Sequence, residues 1–586
     1  MSHPPDKKQQ RYDRQLRLWG AHGQAALESS HVLLINGNAT GAEILKNLVL
    51  PGIASFTILD PSPVLPSDLG SNFFVDPEDI GKPRAKVVAE RLREMNEDVA
   101  GEWVGESPST LLSTNPSFFL RFHLVVLCNH NSPGPSSSAS STPPVGSSTP
   151  SPSTPTPQST SGLLSEKEVA ALEDLLWERN VPLVMVRSYG LAGMVRVGRK
   201  EHRVIDPHTP TPDLRLQTPF PALQALVDSV NLDALDDHAR TGVPFVVILC
   251  KAMEKWKKEN PTTPPTASAL KKLVLAMSKD LNREENFVEA SGQAYRACGK
   301  YEIPRTARNV LEDPECDKVG VVGAPPPHPF WIVARAVRDF AREEGAGYLP
   351  HPGSVPDMKA DTGKYVELAT IYRQKHLSDL ASIRTRVASV VSQINSLPRS
   401  TSTSSIDSAP PPAVGETREW AGSVQVKDEE IERWCKNASQ VVVKRYKRVK
   451  DELGEAGVEA GEPARHLSQP DSPFLHYVLL RAVDRFRDVH HRFPGVLADE
   501  VEPDIRLLKK QVQELLKGWG SQGVTVPDEY VHETVRCGAA ELHAIAALIG
   551  GIASQECIKL ITGQYVPVVD TFVFDGIKSV GGVYEL

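Results

Sequence analysis

Residues 32–60, "VLLINGNATGAEILKNLVLPGIASFTILD", constrain the fold more than any other stretch. An apolar run, Val32 to Ile35, enters a tight turn. An amphipathic helix over Glu43 to Leu50 follows, and a second apolar run, Phe56 to Leu59, ends on Asp60. Strand, turn, helix, strand and an acidic residue roughly 20 positions past the turn make up a nucleotide-binding βαβ unit. The glycines that let a phosphate approach the backbone are mostly missing, because the turn reads Asn36-Gly37-Asn38-Ala39-Thr40-Gly41. Asn tolerates positive φ, so the turn persists, but its side chain projects where phosphate would lie. Thr40 and Glu43 have capping-box spacing, which would engage the first amide donors of the helix internally. A weak ATP site and a structural remnant of one both remain open on these residues, and the remnant is favoured.

Two segments interrupt the globular pattern. Residues 131–162 are almost wholly Ser, Thr, Pro and Gly, and residues 397–417 are of similar kind. Neither can bury enough apolar surface to offset its ordering entropy, so both are expected to be disordered or flexible. The first falls between the strand-like "FHLVVLCN" and the helical "SEKEVAALEDLLWERN", an insertion in a strand–helix connection, where added length costs little. "VPLVMVRSYGLAGMVRV" reads as two strands around a Gly turn. From about 220 to 520 the apolar spacing becomes helical, in "FWIVARAVRDFAREEG", "YVELATIYRQKHLSDLASIRTRVASVVSQINS", "EEIERWCKNASQVVVKRYKRVKDELG" and "IRLLKKQVQELLKGW". A small-residue helix over 538–562 and a strand-like "PVVDTFVFDG" close the chain. The expected architecture is a doubly wound, Rossmann-like α/β domain made from 1–215 and 521–586, with a mainly helical domain, 216–520, inserted.

Composition narrows the function classes. With 65 basic and 73 acidic residues the net charge is −8, which favours neither a nucleic-acid groove nor an anionic membrane surface. The seven cysteines form no CxxC pair, so neither a disulfide framework nor a zinc knuckle is expected. The polar N-terminus and the lack of a continuous apolar run of about 18 residues point to a cytoplasmic and nuclear protein. His490, His491 and His543 lack ligand-like companions and are expected to be non-metal.

The blocks "RYDRQLRLWG", "LINGNATGAEILKNLVLPGI", "DIGKPRAK", "PDLRLQTPFPAL", "FWIVARAVRDF", "VPDMKADTGKYVELATIYRQK" and "GAAELHAIAALIGGIASQECIKLITGQ" resemble the ubiquitin-like-modifier activating family. Within that family, of ThiF/MoeB-type fold, they are most similar to the regulatory subunits of heterodimeric neddylation-activating enzymes. The resemblance covers nearly the whole chain apart from the two Ser/Pro-rich segments. Active members adenylate a modifier's C-terminal glycine with ATP and Mg²⁺, pass it to a cysteine and then to a conjugating enzyme. The resemblance places the family's first two phosphate-loop glycines on Asn36 and Asn38, and keeps the last as Gly41. It keeps the first acidic residue as Asp60 but puts the second on Ser62. The Asn-Arg pair falls on Gly70-Ser71, and the phosphate-contacting lysine on Arg84, with Lys82 beside it. Asn129 and His130 stand near the place of the metal-binding Asp. Such a pocket, with Gly37 the one other glycine in its turn, implies no cofactor of the chain's own. ATP and Mg²⁺ would belong to a catalytic partner subunit, the modifier would bind there, and the conjugating enzyme would be met indirectly.

The same resemblance gives one residue an active role. Tyr12, Leu16 and Trp19 make one helix face apolar, and Arg14 projects off it. Spacing alone makes Arg14 an ordinary exposed charge. The resemblance implies that it crosses the dimer interface to ATP in the partner's pocket, a task suited to a planar, permanent cation. Cys316 has Asp317 beside it, and a carboxylate there works against a thiolate nucleophile. Cys298 and Cys435 are weaker candidates still. The basic run 444–450 reads as a solvated helix face. The small-residue helix fits either close packing near an interface or an internal position. Three alternatives stay open: the small subunit of a SUMO-type activating enzyme, a self-sufficient homodimeric adenylating enzyme, and a dinucleotide-dependent oxidoreductase.

Overall fold

The computed structural model describes residues 7–128, 162–206, 213–322, 325, 327–397, 423–453, 458–459 and 461–586. Both Ser/Pro-rich segments lie essentially outside these residues. Strand β1 (His31–Ile35) is the centre of an eight-stranded sheet. It pairs in parallel with β2 (Ser55–Leu59) on one side and with β4 (Leu124–Leu127) on the other. Beyond β2 lies β3 (Ala100–Val104); beyond β4 lies β5 (Leu183–Tyr189), also parallel. The sheet continues antiparallel through β6 (Ala192–Gly198), β9 (Thr571–Asp575) and β10 (Val580–Tyr584). The order 3-2-1-4-5 reverses between β1 and β4, which is the topological switch point of a doubly wound sheet.

The unbroken apolar run of β1 follows from burial on both faces. Val32 and Leu34 join Ile44, Leu48 and Ile549 in one core, whereas Leu33 and Ile35 join Phe119, Leu172 and Leu176 in the other. Each fully buried side chain of this size contributes about 1.5–3 kcal/mol. Helix His543–Thr562 is long and apolar enough to span a membrane by composition, but it is a core helix, with Ala546, Ile549, Ala553 and Cys557 fully buried. Gly550 lies against Thr40, Glu43 and Ile44, so the internal reading of this helix holds.

The chain divides into two compact units whose boundaries differ from the expected 215/216 and 520/521. Among the described residues, one unit holds those up to 202 and from 444 onward, the other those from 203 to 443. The displaced segment contains helices Phe474–His490 and Val501–Gly518. Their apolar faces, through Phe474, Tyr477, Val478 and Leu508, share a core with Tyr189, Met194, Val573 and Tyr584 of the sheet. Helical periodicity marked the helices correctly but did not say which core they join.

The second unit is helical. Its spine is the 35-residue helix Thr362–Ser396, capped by Asp361, whose carboxylate accepts from the amides of Gly363 and Lys364. Leu368 and Tyr372 pack with Phe245, Leu249 and Phe287, while Leu380, Ile383 and Val387 pack with Trp331, Phe340 and Trp434. A short two-stranded sheet, β7 (His202–Ile205) with β8 (Val441–Lys444), stands where the chain passes between the units. Residues 429–453, read as helical from their apolar spacing, comprise most of helix Asp428–Lys436, strand β8 and helix Val449–Leu453.

Candidate functional site

The turn after β1 sits at the switch point. Asn36 adopts φ 72°, as the turn requires. Its side-chain amide donates to the carbonyl of Cys128 at the end of β4 (2.8 Å), and its backbone N–H donates to Leu59 at the end of β2 (3.0 Å). A Cβ on Gly41 would stand 2.7 Å from the Asn36 carbonyl, so this glycine keeps its packing role. The helix begins at Ala39, earlier than expected, and its N-cap is Asn38, whose Oδ1 accepts from the Gly41 amide at 2.9 Å. The Thr40–Glu43 capping box does not form. Glu43 pairs with Lys46 and lies 3.7 Å from His543 Nε2, and Thr40 turns elsewhere.

Thr40 turns to Glu541. The Glu541 carboxylate accepts from the amides of Ala39 (3.2 Å) and Thr40 (3.3 Å) and from the Thr40 hydroxyl (2.6 Å). A helix N-terminus is a ready-made anion site. Here it carries a carboxylate supplied by the chain itself. Burial pushes the Glu541 carboxyl up to about 7, against the Thr40 hydrogen bonds and the charge of Arg84.

The other pocket groups are likewise engaged. Asp60 is fully buried; its Oδ2 accepts from the Gly37 amide (3.0 Å) and from Arg84 Nε (2.8 Å), and its Oδ1 accepts from the Ser62 amide (2.9 Å). Arg84, also fully buried, reaches Asp68 at 3.3 Å. Asn72 Nδ2 donates to the Gly37 carbonyl at 3.4 Å. The ribose-type carboxylate, the cation and the first amides of the helix all have partners within the protein. These residues do not fit a nucleotide triphosphate. The structure thus brings together Asn36, Gly37, Asn38, Gly41, Asp60 and Arg84, whereas Lys82 pairs with Asp79 at 2.8 Å. Asn129 and His130 lie outside the described residues. Asp68, Asn72 and Glu541 were missed; a lone acid in the apolar "GAAELHAIAAL" was the available signal for Glu541.

Arg14 occupies the opposite edge of the sheet. Helix Lys7–Glu28 breaks at Gly20, whose φ of 66° with ψ 178° suits glycine alone. Before the break, the helix is held by its two buried aromatic residues. The Tyr12 hydroxyl accepts from Asn96 Nδ2 (3.1 Å), which also donates to the Val49 carbonyl (2.8 Å). Trp19 donates to Gln24 (3.2 Å), and its carbonyl accepts from Gln564 Nε2 (2.6 Å). Val49 and Asn96 close the helices that run back from the strand C-terminal ends, so this anchorage is at the N-terminal ends of the parallel strands. Helix Ala39–Val49, 11 residues long, separates that edge from the Asn36 turn by about 16 Å. Arg14 is exposed, and among the described residues it has no ion pair, whereas neighbouring Arg11 and Arg17 pair with Asp98 and Asp13.

The remaining candidates are structural. Cys316 is fully buried, and burial foremost, with Asp313 and Asp317 adding and Arg338 opposing, pushes its thiol up to about 12. Cys435 is likewise pushed to about 12, and the half-buried Cys298 is raised, both by burial first. None is poised as a thiolate. The basic run is not a solvated helix face: Tyr446 and Val449 are buried, Lys444 pairs with Glu585, Arg445 with Glu201, and Arg448 and Lys450 with Asp174. His490 ends helix Phe474–His490, and His491 follows at φ 55°.

Comparison with known proteins agrees with this arrangement. Residues 12–132 match the ThiF family. The chain is 38% identical to the NEDD8-activating enzyme E1 regulatory subunit of Gallus gallus over 99% of this chain and 98% of that one. It is 36% identical to the regulatory subunit of Danio rerio over 100% of both. Among solved structures it is similar to Escherichia coli MccB with succinimide, at 12% identity and a TM-score of 0.24, over 33% of this chain and 50% of that one. The relationship to the regulatory subunits runs the full length, helical unit included, which sets aside a SUMO-type small subunit. A closed remnant pocket, an adenylation-type sheet and full-length kinship lead to one statement: the chain belongs to the family of NEDD8-activating enzyme E1 regulatory subunits.

Proposed function

We propose that this chain carries out no adenylation in its own pocket and instead completes the pocket of a catalytic subunit by presenting Arg14 across the dimer interface. The position of Arg14 carries the reading. The residue stands exposed at the edge of the sheet opposite its own remnant site, too far to serve it, on a helical segment anchored on either side of it by Tyr12 and Trp19. Adenylating a carboxylate builds negative charge on the transferring phosphate. A prepositioned guanidinium from a second subunit offsets that charge without reorganising at the moment of reaction. ATP and Mg²⁺ are held by the catalytic subunit, which also binds the ubiquitin-like modifier NEDD8 and delivers it to a conjugating enzyme. A cytoplasmic and nuclear location goes with this role.

The test is ATP–pyrophosphate exchange driven by NEDD8, with the chain alone, paired with its catalytic subunit, and paired as Arg14→Ala. The chain alone gives no exchange, the pair is active, and the substitution lowers the rate of the assembled pair by about 10²-fold or more. Exchange by the chain alone, or undiminished exchange by the Arg14→Ala pair, would overturn the reading.

A further inference from the structure

Strands β5 and β6 carry charge where the sheet is buried. Their two-residue period puts Met185 and Arg187 on one face of β5, with Arg196 and Met194 opposite them on β6. Helices Glu166–Glu178, Val449–Leu453 and Phe474–His490 cover that face and leave a cavity with about 480 Å³ of free space, its mouth included. A buried guanidinium is costly unless its N–H groups are paired. Arg196 meets that condition, donating to Glu452 (2.7 Å) and to the carbonyls of Val197 (2.9 Å) and Lys447 (3.1 Å). Arg187 does not. Its Nη1 donates to Asp484 Oδ2 (2.6 Å) and to the Leu480 carbonyl (3.2 Å), but Nε and Nη2 have no hydrogen-bond partner among the described residues. Those two nitrogens are the side-on fork of a guanidinium, the edge that grips two oxygens of an oxyanion. Arg481 leaves the same two nitrogens without a hydrogen bond, with Nη2 standing 3.0 Å from Glu166 Oε1. Asp484 Oδ1 and Glu166 Oε1 likewise accept no hydrogen bond among the described residues.

We infer that Arg187 and Arg481, with Asp484 and Glu166, hold a protonated phosphate group in this cavity. The open groups select the ligand. Two forks ask for oxygens that accept, and two carboxylate lone pairs ask for a proton that is donated. Phosphate satisfies both, because it keeps a P–OH at neutral pH; sulfate, fully deprotonated, satisfies only the forks. Glu166 and Asp484 have side chains 19% and 13% exposed, against 3% for Arg187 and 4% for Arg481, so the acids mark the mouth and the cations the floor. Burial foremost, against the charge of Arg481, raises the Glu166 carboxyl above its ordinary value, so an anion beside it meets less repulsion. The site is separate from the turn at Asn36 to Gly41, whose donors are already taken by Glu541 and Asp60.

The experiment titrates the full chain calorimetrically with sodium phosphate and with sodium sulfate, each against chloride at the same ionic strength. Phosphate binds with a Kd of about 1 mM or tighter, and at least about tenfold more tightly than sulfate, whose bare oxygens would face Asp484 and Glu166. Arg187→Lys keeps a cation beside Asp484 but removes the fork, and it weakens phosphate binding at least about tenfold. Thermal melting without added anion reports whether that variant folds. If it does not, Glu166→Gln decides: sulfate gains at least about threefold relative to phosphate, because an amide N–H can then face the anion. Methyl phosphate distinguishes the source, and either result supports the site: binding equal to that of inorganic phosphate assigns the mouth to the alkyl group of a monoester, and weaker binding assigns an enclosed inorganic ion. Absence of phosphate binding, equal binding of phosphate and sulfate, or values unchanged in the deciding variant would overturn the site and leave the cavity to water.

Discussion

Replacing Glu541 by Gln tests whether a buried carboxylate or a helix terminus dominates the remnant pocket. Two effects compete. The helix N-terminus and its hydrogen bonds favour the ionised form, whereas removal from water favours the protonated form. Burial wins, since the carboxyl titrates at about 7 instead of 4.5. The folded state therefore holds a proton that the unfolded chain has released. The stability that goes with it is present below about pH 4.5 and is lost as pH rises toward 7. Gln reproduces the protonated acid in shape and keeps the oxygen that accepts from Thr40, but it does not titrate. The difference between the two chains isolates Glu541 from every other group. Each pKa unit is about 1.4 kcal/mol, so between about pH 5 and pH 8 the Gln chain should gain about 2.5 kcal/mol relative to the parent. Urea unfolding of both chains at several pH values, followed by circular dichroism, measures it. A difference that does not change with pH would refute the reasoning, and a difference of opposite sign would show that the helix terminus prevails.

Arg84→Met should cost about 3–5 kcal/mol, because Asp60 and Asp68 would remain buried without their common cation; denaturant unfolding reads it. In the helical unit, His351 is fully buried and neutral: its Nδ1 accepts from the Gly353 amide (2.9 Å) and its Nε2 faces the Asp213 carbonyl (2.7 Å). Burial foremost, then the charge of Arg215, holds its pKa at about 4 instead of 6.5. The unfolded chain binds the proton first, so stability falls by about 3 kcal/mol as pH drops from about 6.5 to 4. His351→Gln should flatten that acid limb, which is opposite in sign to the Glu541 effect in the other unit.

The sequence showed the βαβ unit, its turn and the strands around Gly190 because each rests on contacts within about 30 residues. Strand β3, "AGEWV", was hidden by a largely exposed edge position and a glycine, and β10, "VGGVY", by two glycines and partial exposure. The pocket's missing glycines were legible; how their places are filled was not. Asp60 to Arg84 spans 24 residues and could have been guessed from the charges, but Glu541 to Thr40 spans 501, with no local pattern to announce it. The boundary at 443 was missed for a related reason. "FLHYVLLRAVDRF" is as helical in period as the helices of the inserted unit, and its allegiance is settled only by Tyr189, Met194 and Tyr584.

Strand β6 ends at residue 198, and its neighbour β9 begins at 571. At ribosomal speeds of about 5–20 residues per second, the partner for that edge arrives roughly 20–75 s later. During that interval the nascent sheet presents an open strand edge and an uncovered face where the final helix will lie, while the helical unit has time to complete itself. An unpaired edge is a template for wrong pairing. Production of this chain should therefore lean on chaperones that hold the growing amino-terminal half, and a premature stop near its end should yield aggregate instead of a working shorter subunit.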